Sequence, residues 1–214
     1  MEIVEHVKRS IELAEKNQSK ITDDIISYTG YSGTKTRHFY NNICSLPNAN
    51  YLEIGTWYGS SSISAIYKNN IHATFIDNWS EFNGNKDILI GALNLYKGDS
   101  TCTLIEGNST TLNTSSLPMF DIYLYDGGHT YHEHYTAITR YMNKLKNNCI
   151  IMIDDWNWDV VRSATMQAFA DMNVKFLFSK EIILPEEERA GMPDHLGKNT
   201  WWNGIGIFVI DKTN

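Results

Sequence analysis

Five short apolar runs, Tyr51–Ile54, Ala73–Ile76, Cys102–Ile105, Ile122–Tyr125 and Ile150–Ile153, alternate with stretches of helical spacing at Ser60–Asn69, Lys86–Tyr96 and Tyr131–Lys144. Runs this short suit strands buried on both faces, and strand, helix, strand repetition implies a mostly parallel sheet with helices on both sides and right-handed crossovers. Downstream, the pattern predicts a helix from about Trp158 to Met172, a strand at Lys175–Phe178, an irregular polar insertion at Pro185–Asn199 and a closing strand at Ile205–Ile210. Upstream, residues 2–28 read as two amphipathic helices broken near Asn17–Ser19. A glycine-containing loop follows at Tyr28–Thr36 and a helix at Arg37–Leu46. The expected organisation is one domain over residues 1–214, with a helical N-terminal extension (1–48) on an α/β core (49–214).

A chain of 214 residues with 42% hydrophobic content has enough apolar side chains for one substantial core. Its net charge of −7 and the lack of a lysine or arginine run disfavour a nucleic-acid partner. Cys44, Cys102 and Cys149 are odd in number and far apart, so neither a disulfide framework nor a zinc knuckle is expected, and a reducing cytoplasm is the expected location. Charges occupy the first residues where a signal peptide is apolar, and no window approaches the ~18 apolar residues of a membrane span, so no membrane association is expected.

Open parallel sheets bind ligands at the carboxyl ends of their strands. After the first run come Gly55 and Gly59, four residues apart at the entry to a helix, where glycine permits a tight turn and close approach of a ligand to backbone N–H groups. Alone, such a spacing equally serves helix–strand packing. The second run ends in Asp77, where an acidic side chain can accept from both ribose hydroxyls, and the third in Glu106-Gly107-Asn108-Ser109, whose short polar groups suit an adenine edge or an ordinary turn.

Taken together, Tyr51–Gly59 (YLEIGTWYG), Phe75–Trp79 (FIDNW), Gly107–Ser109 (GNS), Phe120–Tyr131 (FDIYLYDGGHTY) and Ile151–Trp156 (IMIDDW) resemble successive motifs of class I S-adenosylmethionine (SAM)-dependent methyltransferases. The sequence is most similar to the metal-dependent small-molecule O-methyltransferases of the macrocin and catechol kind. The resemblance implies a Rossmann-like, doubly wound, mostly parallel seven-stranded sheet with an antiparallel C-terminal strand. It implies a SAM site formed by Glu53, Gly55, Thr56, Gly59, Ser60, Asp77, Asn78, Asn108, Ser109 and Asp126. Within it, Glu53 to Gly59 wrap the methionine part, Asp77 holds the ribose, and Asn108 or Ser109 borders the adenine. Trp57 and Tyr58 depart from the pattern, standing where many relatives have smaller residues.

The fourth run ends in Asp126-Gly127-Gly128-His129 and the fifth in Asp154-Asp155, which brings three carboxylates to one sheet edge. Hard oxygen donors of this kind suit Mg2+ or a similar divalent cation. The resemblance implies that Asp126, Asp154 and Asp155 are its ligands, with Asp155 replacing a frequent Asn, and it puts His129 where catechol-type relatives carry a lysine. An imidazole there is the expected catalytic base. Taken singly, Asp154 and Asp155 equally read as caps of the next helix and Asp126–Gly128 as a turn. His132 and His134 are expected to face solvent or pack against neighbours.

Tyr58, Trp79, Trp156, Trp158, Trp201 and Trp202 are candidate walls for a ring-bearing acceptor, with core packing the alternative for at least half. Pro185–Asn199 is a candidate lid, and Tyr31–Thr36 a candidate closure over the methionine end. The expected activity is metal-assisted methylation of a hydroxyl on a small molecule, a sugar or an aromatic natural product. The N-terminal helices and exposed tryptophans suggest a homodimer. The alternatives are a nicotinamide-dependent oxidoreductase, which the missing third glycine and missing Tyr-x-x-x-Lys pair disfavour, and a non-catalytic SAM-binding subunit.

Overall fold

The computed structural model describes residues 2–189 and 200–212. Helices α1 (Glu2–Glu15), α2 (Asp23–Ile26) and α3 (Thr34–Ile43) precede β1 (Asn50–Ile54), α4 (Ser60–Ile66), β2 (His72–Asp77), α5 (Lys86–Tyr96) and β3 (Thr101–Glu106). The chain continues through β4 (Phe120–Tyr125), α6 (Tyr131–Tyr141), β5 (Leu145–Asp154), α7 (Asp159–Asp171), β6 (Lys175–Ile182) and β7 (Ile205–Asp211). The seven strands form one sheet in the order β3-β2-β1-β4-β5-β7-β6. Neighbours from β3 to β5 are parallel, and β7 runs antiparallel between β5 and β6. This is the mostly parallel, Rossmann-like sheet expected from the sequence. Strand order reverses where β4 pairs with β1, and connections diverge there to leave a crevice beyond the strand ends.

Side chains alternate across the sheet, so each inner strand serves two cores. Tyr51, Ile122, Leu124, Ile150, Met152 and Ile207 pack with side chains of α1, α3, α4 and α5 on one face. Leu52, Ile54, Tyr123, Tyr125, Ile151 and Ile153 pack with α6 and α7 on the other. Both faces exclude water, which explains why these strands read as continuous apolar runs rather than alternating ones.

Several boundaries differ from the sequence expectation. The helix expected to reach Asn69 stops at Ile66, because Lys68 turns left-handed (φ 53°) and the Asn69 amide donates to the carbonyl of Ala65 at 2.7 Å. The helix expected to reach Lys144 ends at Tyr141 and passes through a 3-10 turn at Met142–Lys144, since Leu145 already pairs with Phe120 in the sheet. β6 extends to Ile182 rather than Phe178. Ser179, Lys180 and Glu181 pair with β7 on an outer edge, where polar residues are tolerated and mask the strand signal. Helix α3 begins at Thr34 instead of Arg37. Among the described residues, no helix is long and apolar enough to cross a membrane.

Candidate active site

The ends of β1, β2, β3, β4 and β5 open onto a cavity of about 490 Å3. Gly55, Thr56, Ser60, Asp77, Asn78, Asn108, Ser109, Asp126, His129, Asp154 and Asp155 all line it. Glu53 and Gly59 do not appear in the lining. Glu53 is fully buried beneath it, accepting from Ser61 Oγ (2.6 Å), Ser62 Oγ (2.8 Å) and Tyr51 Oη (2.8 Å), which ties β1 to the start of α4. Burial pushes the Glu53 carboxyl up to about 7 despite these hydroxyl donors. Gly59 turns the chain into α4 with φ 95°.

Gly55 adopts φ 85°, and a Cβ there would lie 1.8 Å from the carbonyl oxygen of Asp126. Only glycine lets β1 turn this close to the end of β4. The loop beyond it is closed by Asp77, whose Oδ2 accepts from the backbone N–H groups of Thr56 (2.7 Å) and Trp57 (2.8 Å), while Oδ1 accepts from Trp79 N–H (2.6 Å). Trp57, left-handed at φ 45°, stacks on Tyr58 with ring centroids 3.6 Å apart and on Tyr31 at 4.5 Å. The bulky residues that depart from the family pattern are thus absorbed by an aromatic pile outside the turn. Asn78 and Asn108 each fold their side-chain oxygen onto the backbone N–H two residues ahead.

The acidic corner follows from register. Leu124 pairs with Met152 and Tyr125 with Ile153, so Asp126 and Asp154, one residue further on, project from the same face of adjacent strands. Burial, together with the charge each acidic neighbour imposes, holds both well above the usual carboxylate range. Asp155 occupies the left-handed region (φ 53°), and its carboxylate is gripped from two sides, by Asn203 Nδ2 at 2.7 Å and by His129 Nε2 at 2.6 Å. Potential ligand atoms of Asp126, His129 and Asp155 all lie within 4.8 Å of one another. Burial lowers the His129 pKa, but the hydrogen bond and charge of Asp155 outweigh it, so His129 sits above its ordinary value.

Neither Asp154 nor Asp155 caps α7. The N-cap is Trp158, which makes no side-chain cap bond, so the simple capping alternative does not account for the two aspartates. His132 is exposed, whereas His134 is buried with both ring nitrogens unpartnered among the described residues. Of the six aromatics expected at the mouth, Trp79, Trp158 and Trp202 line the cavity. Trp156 is buried against Phe208, and Trp201 packs on Phe39 with its indole N–H on Glu15. Tyr58 stacks on Trp57 behind the lining.

Sequence reasoning passed over Glu81, Phe82, Glu133 and Asn203, which also line the cavity. Asn203 carries no local signal, since β7 brings it to Asp155 from 48 residues away. Tyr31, from the segment expected to close over the methionine end, lines the cavity as well. In the candidate lid, Glu186–Glu188 form a 3-10 turn, and residues 190–199 lie outside the described residues.

Sheet order, glycine turn and the acidic residue after β2 are those of the class I SAM-dependent methyltransferase fold. Residues 52–156 match the family model described as a methyltransferase domain, which decides the reading of the glycine loop in favour of SAM over a nicotinamide dinucleotide. Among solved structures, a protein provisionally assigned as a caffeoyl-CoA O-methyltransferase from Staphylococcus aureus superposes with TM-score 0.61 at 14% identity, over 95% of this chain and 98% of that one. An O-methyltransferase from Bacillus cereus in complex with SAH gives 0.59 at 11% identity, over 97% and 91%. TrmN from Thermus thermophilus gives 0.56 at 11% identity over 88% of this chain and 52% of that one, so the chain spans about half the length of TrmN. At these identities the superpositions speak to the fold. No curated protein matches the sequence.

Proposed function

We propose that the protein is an O-methyltransferase that uses a divalent cation to activate a hydroxyl of a small molecule, a sugar or an aromatic natural product. The observation that carries this reading is the convergence of Asp126, Asp154 and Asp155 with His129 on one wall of the cavity lined also by the glycine loop and Asp77. The donor set fits a hard cation: three carboxylates share one corner, and ligand atoms of two of them, Asp126 and Asp155, lie with that of His129 within 4.8 Å of one another. When bound, SAM supplies an electrophilic methyl group, and a dication lowers the pKa of an acceptor hydroxyl so that its proton leaves near neutral pH.

The chain's own residues then bind, orient and take up a proton. Asp77 Oδ1 accepts one backbone N–H and keeps a lone pair for a ribose hydroxyl. Asn108 has its oxygen engaged in its own turn and offers its amide N–H to an adenine edge. His129 takes up the acceptor proton at Nδ1, and the Asp155 carboxylate, 2.6 Å from Nε2, stabilises the resulting imidazolium. Asn203 fixes the Asp155 carboxylate so that one oxygen remains directed at the imidazole. Trp158, its ring centroid 4.8 Å from that of His129, and Trp202 across the mouth offer apolar walls to the acceptor.

The test is SAM-dependent methylation of a panel of hydroxylated acceptors, read as the mass gain of one methyl group, with and without EDTA and with Asp154→Ala. Turnover should vanish on chelation, return with Mg2+, and be lost in the variant while SAH still binds. Full turnover in EDTA removes the cation from the reaction, and SAH binding without any methylated product makes the protein a SAM-binding subunit.

A further inference from the structure

Tyr40 stands on α3, outside the matched methyltransferase region, and is completely buried. Among the described residues its hydroxyl has no hydrogen-bond partner, and neither has Oδ1 of Asp154, itself buried. A buried polar atom left unpaired costs about 1–3 kcal/mol, so a donor and an acceptor left unpaired in one region call for an explanation. Strand alternation places them on the same side of the sheet. Asp154 follows Ile150 and Met152 in the period-two pattern of β5, and both belong to the core cluster that contains Tyr40. Asp126 and Glu53, one period beyond Leu124 and Tyr51, face the same way. Tyr40 therefore lies on the side of the sheet from which Asp154, Asp126 and Glu53 project.

We infer that Tyr40 is a positioning residue for this corner: its hydroxyl donates to Asp154 across one enclosed water, and so fixes which carboxylate oxygen faces the cavity to receive a cation. The inference rests on the cation reading proposed above. A phenol suits the task because it donates one hydrogen bond without bringing a charge that would compete with the cation. Partners of this kind behind a metal ligand typically govern affinity by about 10–100-fold. The N-terminal extension thereby becomes part of the site rather than a cover for the core.

The experiment uses the whole chain and Tyr40→Phe, which removes one oxygen and keeps the ring. Mn2+ affinity is measured by paramagnetic resonance, and SAH affinity by calorimetry serves as the control. Mn2+ binding should weaken about tenfold or more, with SAH binding within about twofold of wild type, a split that a general packing defect does not produce. In parallel, Tm is measured without metal for Tyr40→Phe, Asp154→Asn and the double variant. The double variant should lose less Tm than the sum of the two single losses. Equal Mn2+ affinity in wild type and Tyr40→Phe, or strictly additive Tm losses, overturns the inference. A wild type that binds no Mn2+ while the Tm losses stay non-additive overturns the cation reading, reducing Tyr40 to a packing contact with Asp154.

Discussion

Nε2 of His129 lies 2.6 Å from Oδ2 of Asp155, across the junction between the β4 and β5 strand ends. The pair spans two separate connections of the sheet, so neither loop orients the imidazole alone. Replacement of His129 by Gln keeps a hydrogen-bonding group and removes the base. We expect kcat to fall by about 10^2–10^4 with SAH affinity within about twofold of wild type, as read by steady-state kinetics and calorimetry. An unchanged kcat would take His129 out of the chemistry.

Glu53 makes stability depend on pH in an unusual direction. Its folded carboxyl titrates near 7, against an ordinary value of 4.5, so between these limits the native state binds more protons than the unfolded chain. Stability contributed by the protonated carboxyl is present at pH 4.5 and declines as pH rises toward 7. Glu53→Gln, which mimics the protonated form, should flatten this decline in urea unfolding at a series of pH values. A parallel pH dependence in wild type and variant would contradict the assignment.

His134 contributes the opposite slope. Burial holds its imidazole down at about 4, against an ordinary 6.5, so the unfolded chain binds more protons in that interval and stability falls as pH drops through it. Both ring nitrogens lack partners, so one N–H is buried unpaired against the Tyr125 ring. His134→Leu should gain about 1–3 kcal/mol at neutral pH and lose the acid-side slope. A loss of stability at pH 7 would show that the ring is held by contacts stronger than its desolvation cost.

Arg37 is buried and donates to the carbonyl oxygens of Ile25, Ile26, Tyr28, Gly30 and Ser32. Burial lowers its pKa to about 10, which leaves the guanidinium charged at neutral pH. This fork holds the segment from which Tyr31 reaches Trp57 over the cavity. A lysine cannot span the same set of carbonyls. Arg37→Lys should therefore destabilise the protein by about 3–5 kcal/mol and weaken SAH binding, measured by chemical denaturation and calorimetry. Wild-type SAH affinity in the variant would uncouple the segment from the cofactor side.

The strands were legible because both sheet faces are covered: β1, β2, β3 and β4 appear as apolar runs whose expected limits fall within one or two residues of the observed strands. The residues after those runs were legible as site candidates for the same reason, since open parallel sheets put ligands at strand ends. Edge and entry segments were not. β6 carries polar residues that an outer strand tolerates, and the start of β5 is fixed by the pairing of Leu145 with Phe120 rather than by its own composition. The tryptophans were ambiguous because an indole serves a core and a pocket wall equally well. Gly206, against which a Cβ would meet the ring of Trp156 at 2.6 Å, decides that this one lies inside.

By itself the sequence determined the alternation of strands and helices, the glycine turn at Gly55, and the acidic residues Asp77, Asp126, Asp154 and Asp155 at strand ends, because these depend on local periodicity and backbone freedom. Tertiary structure alone decided that Asp126 and Asp154 share one face, that Asn203 and His129 grip Asp155, and that Tyr31 reaches the cavity from the N-terminal extension. Those relationships are set by strand register and by returns of the chain over tens of residues. Burial and charge then depend on neighbours that no local pattern encodes.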